Sequence, residues 1–397
     1  MFGWIAQAPF VHKLQKRSGR LSCGTIALIA VLVAFLWQLV TVTRNYRGDW
    51  TALYCIGGVM PTPPELQGAY RFEGSRGFDG QFYLIIAMDP LLRRGMDRYV
   101  DEPDLRYRRI LVPAVAYLLG FGQPAAIVYS YLLVNLGFLF LGTWWMSRHA
   151  VLCSLHPARG WLFLLVPGVL ISLDRQTVDM ALTALCLGAA YAWRSKQHRL
   201  LLVFLPLICL VRETGVLIAG AFVLAFLIRR ERRKAAIGVA CVAPFFAWSW
   251  WVAARVPLTL REWLPERPYA WTIDALLHPA ALPFSPAVQT LVRCFDLLAL
   301  AGLLAGIALS VRLWFGDRRA NPLVLASVFF SGLCLFLFSL DDWMHVYDYG
   351  RIASPMAAYL LIQCPAGWPL LVPSALMTCR VAVQVAPQIF HAAGLGS

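Results

Sequence analysis

The run Leu21–Thr43, LSCGTIALIAVLVAFLWQLVTVT, decides the class of this protein. It carries no charged side chain. A helix rises about 1.5 Å per residue, so a run of this length crosses the ~30 Å of bilayer hydrocarbon. Lys13, Lys16, Arg17 and Arg20 precede it. That pattern superficially resembles a signal peptide, but the apolar region is too long and no small-x-small cleavage site follows. It reads as a first membrane span that enters from the cytoplasm, since basic residues stay on that side.

Working outward, the whole chain repeats this theme. Of 397 residues, 59% are hydrophobic and only 14% charged, and the mean hydropathy is +0.64. A soluble domain carries about a quarter charged residues. Apolar runs recur at 22–42, 124–146, 161–173, 178–193, 200–211, 214–228, 235–254, 294–311, 321–340, 351–364 and 367–389. The expected fold is therefore all-α: a polytopic helical membrane protein of about eleven spans in one transmembrane domain, 1–397. A β-barrel would instead alternate in ~10-residue segments. Several runs fall short of the ~20 residues a crossing needs, so they read as tight hairpins supported by neighbours.

The net charge of +14 comes with no basic-aromatic recognition module, which argues against nucleic acid. Excess Lys and Arg instead mark cytoplasmic loops. The clusters Arg148–Arg159, Arg194–Arg199, Arg229–Lys234 and Arg312–Arg319 fit that rule if the apolar runs pair between them. The run 110–122 contains Pro113 and breaks this parity, so it is expected to be an interfacial or re-entrant helix. Of 21 acids, only Glu231 and Asp317 then face the cytoplasm. The ten cysteines lie mostly in apolar runs without CxxC spacing, so neither a disulfide framework nor a zinc site is expected.

Polar chemistry thus concentrates outside, in a first loop spanning 44–123 and a second spanning 255–293. The first loop holds Asp49, Asp79 in Gly77-Phe78-Asp79-Gly80-Gln81-Phe82-Tyr83, Asp89, and Arg106 and Arg109. The run 81–88 is apolar enough to lie along the membrane surface. A carboxylate held there is partly desolvated, which would raise the Asp79 pKa toward that of a general base. A common Asp-Gly turn is the plainer alternative. Asp174-Arg175-Gln176-Thr177-Val178-Asp179 places two acids near the bilayer boundary, although a helix cap would account for one of them. Arg212-Glu213 sits between two apolar runs and needs partners from other segments, unless it is an ordinary polar turn. In Asp341-Asp342-Trp343-Met344-His345, the loose Asp-Asp-x-x-His spacing leaves room for a divalent cation but does not define a site. Arg351, at the head of the next helix, suits an anionic headgroup or diphosphate. No Walker A, GxGxxG, HExxH or GxSxG motif is present, and no cofactor is assigned.

These features together resemble the GT-C superfamily of polytopic glycosyltransferases, and most of all its bacterial protein-mannosyltransferase-like and arabinose-transferase-like members. Arg109-Ile110-Leu111-Val112-Pro113 through Gly120-Phe121-Gly122 matches that group's element before the second span. Leu173–Leu182 matches its Arg/Asp-containing outer turn. The usual Asp-Glu pair after the first span is missing: Asp49 is followed by Trp50 and Asp79 by Gly80. Either Asp49 or Asp79 remains the candidate base.

The resemblance implies transfer of a sugar from a polyprenyl-phosphate donor to an envelope glycan, lipid or protein acceptor. The reaction would run on the outer face of the bacterial cytoplasmic membrane, with inversion. Asp89, Arg106, Arg109, Asp174, Asp179, Arg212, Glu213, His345 and Arg351 are the candidate substrate- and phosphate-binding residues. The alternatives are a transporter or flippase for a lipid-linked or anionic solute, and a non-catalytic envelope-polymer assembly factor.

Overall fold

The computed structural model describes residues 21–257, 270–277, 285–316, 319–337, 343, 345–363, 367–392 and 394. It is all-helical, with 77% helix and 1% strand. Among the described residues sixteen α-helices follow in order: α1 Cys23–Asn45, α2 Asp79–Met88, α3 Pro103–Arg106, α4 Leu111–Leu119, α5 Pro124–Leu152, α6 Pro167–Arg175, α7 Asp179–Arg194, α8 Leu201–Val211, α9 Gly215–Ile228, α10 Arg232–Ala240, α11 Ala243–Ala253, α12 Ala270–Leu277, α13 Pro286–Phe315, α14 Pro322–Phe336, α15 Val346–Leu361 and α16 Val372–Ala392. The only described strands are β1, Ile56–Gly57, and β2, Arg71–Phe72, paired in parallel with Ile56 opposite Arg71.

Local sequence explains where the long helices begin. Ser22 caps α1, its hydroxyl accepting the Thr25 N–H at 3.1 Å. Proline opens α5 and α13, where its missing N–H costs no hydrogen bond. Each of the eleven apolar runs contains helix. As membrane crossings, however, their lengths carry fewer. Four described helices are long and apolar enough: α1, α5, the segment Arg232–Ala253 made of α10 and α11, and α13. A fifth is reached if the 3₁₀ helix Pro157–Leu165 and α6, bent by 67°, count as one. Three further apolar helices, His198–Val211, α9 and α14, are shorter. Of the second loop, 255–293, residues 258–269 and 278–284 lie outside the described residues, and α12 and the start of α13 occupy most of the rest.

Packing is pairwise and close. α5 lies against α1 and α7, α13 against α16, α14 against α9 and α15, and α15 against α6 and α7. The outside of this bundle displays large apolar side chains, among them Trp250 (75% exposed), Leu118 (69%) and Leu133 (62%). Such a surface, together with helices long and apolar enough to cross a bilayer, suggests a membrane protein.

One expectation about the first loop is corrected. α2 does not lie on a surface: Gly80 through Met88 are all buried, and the helix packs on α4 and α5. The sequence DGQFYLIIAM is apolar on every side after its first turn, and a helix without a polar face is stable only when enclosed. α4, nine residues long, matches the expected short helix at 110–122.

A buried arginine–carboxylate cluster as candidate functional site

Two glycines seat the head of α2. Gly77 has φ +80°, and a Cβ there would stand 2.5 Å from the Cys55 carbonyl oxygen. At Gly80 a Cβ would come within 2.0 Å of the Arg175 carbonyl oxygen. Only glycine allows both the left-handed turn and the close approach of α2 to the end of α6. Gln81 completes the lock. Its Nε2 donates to the Arg76 carbonyl at 2.8 Å, and its Oε1 accepts the Gly57 N–H at 3.0 Å.

This seating points Asp79, the first residue of α2, into a chain of ion pairs. One carboxylate oxygen meets Nη1 of Arg106 at 2.9 Å, and the other meets Nη2 of Arg351 at 2.6 Å. Nε of Arg351 donates to Asp179 at 2.6 Å, and the second Asp179 oxygen pairs with Arg212. Nε of Arg212 stands 3.8 Å from Glu213. Glu213 receives a two-pronged contact from Arg109, at 2.8 and 2.7 Å. The remaining arm of Arg109 donates to the Tyr83 hydroxyl at 2.8 Å. Residues from the first loop, the head of α7, the α8–α9 turn and α15 therefore converge. Phe82 lies under the Arg106 guanidinium at 4.6 Å and Phe78 under that of Arg351 at 5.5 Å.

Burial grades this cluster. The Asp179 side chain is fully enclosed and that of Arg351 is 4% exposed, whereas Asp79 is 15% and Glu213 25% exposed. Asp101, which also pairs with Arg106, and Asp348, 3.5 Å from Arg351, are more open. Four guanidiniums against Asp79, Asp179 and Glu213 leave one positive charge in excess, and the two outer acids turn that into an excess of one negative charge. An anion able to displace a carboxylate would find planar, preorganised guanidiniums behind it.

The electrostatics correct the expected pKa of Asp79. Burial alone would raise it, but Arg106, Arg351 and Arg109 outweigh burial and hold it far below the ordinary carboxylate range. Glu213 behaves likewise: desolvation is overcome by Arg109 and Arg212, and its pKa falls to about 2. Both are anions at neutral pH. Neither is a free base while its arginines stay in place.

Other expected site residues lie elsewhere. Asp49 caps the 3₁₀ helix Trp50–Tyr54 and accepts from the Thr51 N–H at 2.9 Å and hydroxyl at 2.6 Å. Asp89 ends α2 by accepting the N–H groups of Arg93 and Arg94, both at 2.8 Å. Each carboxylate satisfies backbone donors of its own turn, with no contact to the cluster. Asp174 belongs to a second buried set. It accepts from the Tyr347 hydroxyl at 2.6 Å and from Gln388 at 2.9 Å, with Arg175 at 3.2 Å. Asp179 does not cap its helix; Oγ of Ser172 meets the Met180 N–H at 3.0 Å. His345 is exposed at the head of α15. Asp341 and Asp342 lie outside the described residues, among which no group of three or more His, Cys, Asp or Glu could hold a metal.

Tyr83, Asp101 and Asp348 join the cluster without having been expected there. Their spacing carried a signal. Tyr83 is four residues after Asp79 on one helical face, and Asp348 is three before Arg351. A further ion pair, Arg380–Asp296 at 2.5 Å, ties α16 to α13. Eight described cysteines are free thiols, six of them buried, whereas Cys153 is disulfide-bonded.

No family model, no curated protein and no solved structure matches this chain.

Proposed function

We propose that this protein is a membrane glycosyltransferase that moves a sugar from a polyprenyl-phosphate donor to an envelope glycan, lipid or protein acceptor. The observation that carries the reading is the double clasp of Asp79 by Arg106 and Arg351. A base and its phosphate-binding cations occupy one buried place. In the reaction, the acceptor oxygen attacks the anomeric carbon and the bond from that carbon to the phosphate oxygen breaks. Asp79 takes the acceptor proton, and the arginines receive the lipid phosphate that leaves.

The depressed pKa of Asp79 fits this sequence of events. In the resting protein its charge is spent on arginines. A phosphate that claims Arg106 and Arg351 releases the carboxylate and restores its basicity at the moment a proton must be taken. Asp179 and Glu213 hold Arg351, Arg212 and Arg109 in position throughout.

Around this centre we assign eleven crossings, with α4 at the interface. The N-terminus is cytoplasmic, and the cluster faces outward from a bacterial cytoplasmic membrane. The basic clusters between the apolar runs support that orientation.

The test is a donor panel. Purified protein is incubated with polyprenyl-phosphate sugars and an acceptor mixture, and release of free polyprenyl phosphate is followed. One donor of the panel should be turned over. If every donor survives while a lipid-linked substrate changes leaflet in proteoliposomes, the protein is a flippase.

A further inference from the structure

Beyond the cluster, a groove of about 610 Å³ opens between the turn after α2 and the end of α11. Two arginines line it, Arg93 from the turn and Arg255 from beyond α11, and among the described residues no carboxylate does. Its floor is a pair of stacked indoles. Trp248 and Trp251 lie 4.6 Å apart at 17°, and the Arg255 guanidinium stands 4.1 Å over the Trp251 ring. Arg255 also donates to the Trp251 carbonyl at 3.2 Å. Nε1 of Trp248 donates to the Tyr107 carbonyl at 2.7 Å, which anchors the floor to the segment bearing Arg106 and Arg109.

The groove also has a defined depth. It sits at the end of Arg232–Ala253, one of the four helices long and apolar enough to span a membrane. The same helix turns Trp250 and Phe246 outward, 75% and 60% exposed. Tryptophan and arginine at the end of such a helix mark the level of the lipid headgroups. Trp251 already has an indole and a guanidinium against its ring, which leaves it poorly placed to stack on a sugar. What the groove offers a ligand is two cations beside an apolar wall.

We infer that this groove binds the phosphate of an anionic phospholipid. Arg93 and Arg255 hold the headgroup, and the acyl chains run down the outer side of α11. The site is independent of the proposed transfer reaction.

The test uses the full-length protein in detergent. Native mass spectrometry follows its first lipid adduct with phosphatidylglycerol or with phosphatidylcholine of matched chains. Two guanidiniums should favour phosphatidylglycerol by about tenfold. The Arg93→Gln/Arg255→Gln variant should bring that preference to within about twofold, with its melting temperature and phosphatidylcholine adduct unchanged. A control pair in the basic loop, Arg230→Gln/Arg233→Gln, should keep it. The site is overturned if the wild type shows no preference, if the groove variant retains it, or if the control pair loses it equally. Glycerol phosphate that competes as well as phosphatidylglycerol at equal concentration would overturn the lipid assignment in favour of a free phosphate.

Discussion

Nη2 of Arg351 lies 2.6 Å from Oδ2 of Asp79, and the same guanidinium reaches Asp179 through Nε at 2.6 Å. One arginine of α15 therefore ties the head of α2 to the head of α7. Because both carboxylates are drawn to a single buried cation, the first loop is docked by charge as well as by apolar contact.

Arg351→Gln should loosen this docking. It leaves Asp79 with Arg106 and Asp179 with Arg212, so each acid keeps one partner. Breaking a buried pair costs about 3–5 kcal/mol when the remaining charge is stranded, and retained partners place this variant at or below the lower end. Thermal unfolding in detergent should show a clear fall in midpoint. Limited proteolysis should open the first loop ahead of the helices.

Gly80→Ala should disturb the same junction through sterics alone. The added methyl meets the Arg175 carbonyl at 2.0 Å, a backbone atom that cannot turn aside. Overpacking of this kind costs roughly 1–3 kcal/mol. Gly68→Ala, where a Cβ meets nothing within 4 Å, is the matched control. Its melting temperature should stay at the wild-type value while that of Gly80→Ala drops.

The stability of the cluster should depend on pH with a definite sign. Asp79 and Glu213 both have folded pKa values depressed by neighbouring arginines. Their contribution is fully present above the unfolded carboxylate pKa of about 4 and is lost as pH falls toward the folded values. Melting temperature should therefore not vary with pH on account of either group between about pH 5 and pH 8, and should decline below about pH 4. Glu213→Gln should make that acid decline shallower.

Arg109 tests fork geometry against bare charge. Two of its arms grip Glu213 and a third reaches Tyr83, a pattern that a lysine ammonium cannot reproduce. Arg109→Lys keeps the charge and should still lose stability. A double-mutant cycle with Glu213→Gln should return a coupling of roughly 1–3 kcal/mol. A coupling near zero would mean that the fork is incidental.

Much of this molecule was legible before folding because composition and periodicity are local. Every apolar run contains helix among the described residues, and short runs such as 200–211 and 214–228 became the short helices α8 and α9. Arg212 and Glu213, read as residues needing partners from other segments, found them in Asp179 and Arg109. The destination of an isolated acid was not legible. Asp49, Asp79, Asp89 and Asp174 look alike in sequence; two of them accept backbone N–H groups of their own turns, whereas tertiary packing brings Asp79 to Arg106 and Arg351 and Asp174 to Tyr347. The direction of the Asp79 pKa was misread for the same reason. Burial is visible in an apolar neighbourhood, whereas arginines arriving from positions 106 and 351 are not.

In the proposed sugar transfer, Asp79 and not Asp49 takes the acceptor proton. The most direct measurement is the turnover of a polyprenyl-phosphate sugar by purified wild type, Asp79→Asn and Asp49→Asn, each checked for folding by its melting temperature. Asp79→Asn should lose about a hundredfold or more in kcat, while Asp49→Asn, altered only at a turn cap, should stay within a few-fold of wild type. Wild-type turnover in a folded Asp79→Asn protein would exclude Asp79 as the base.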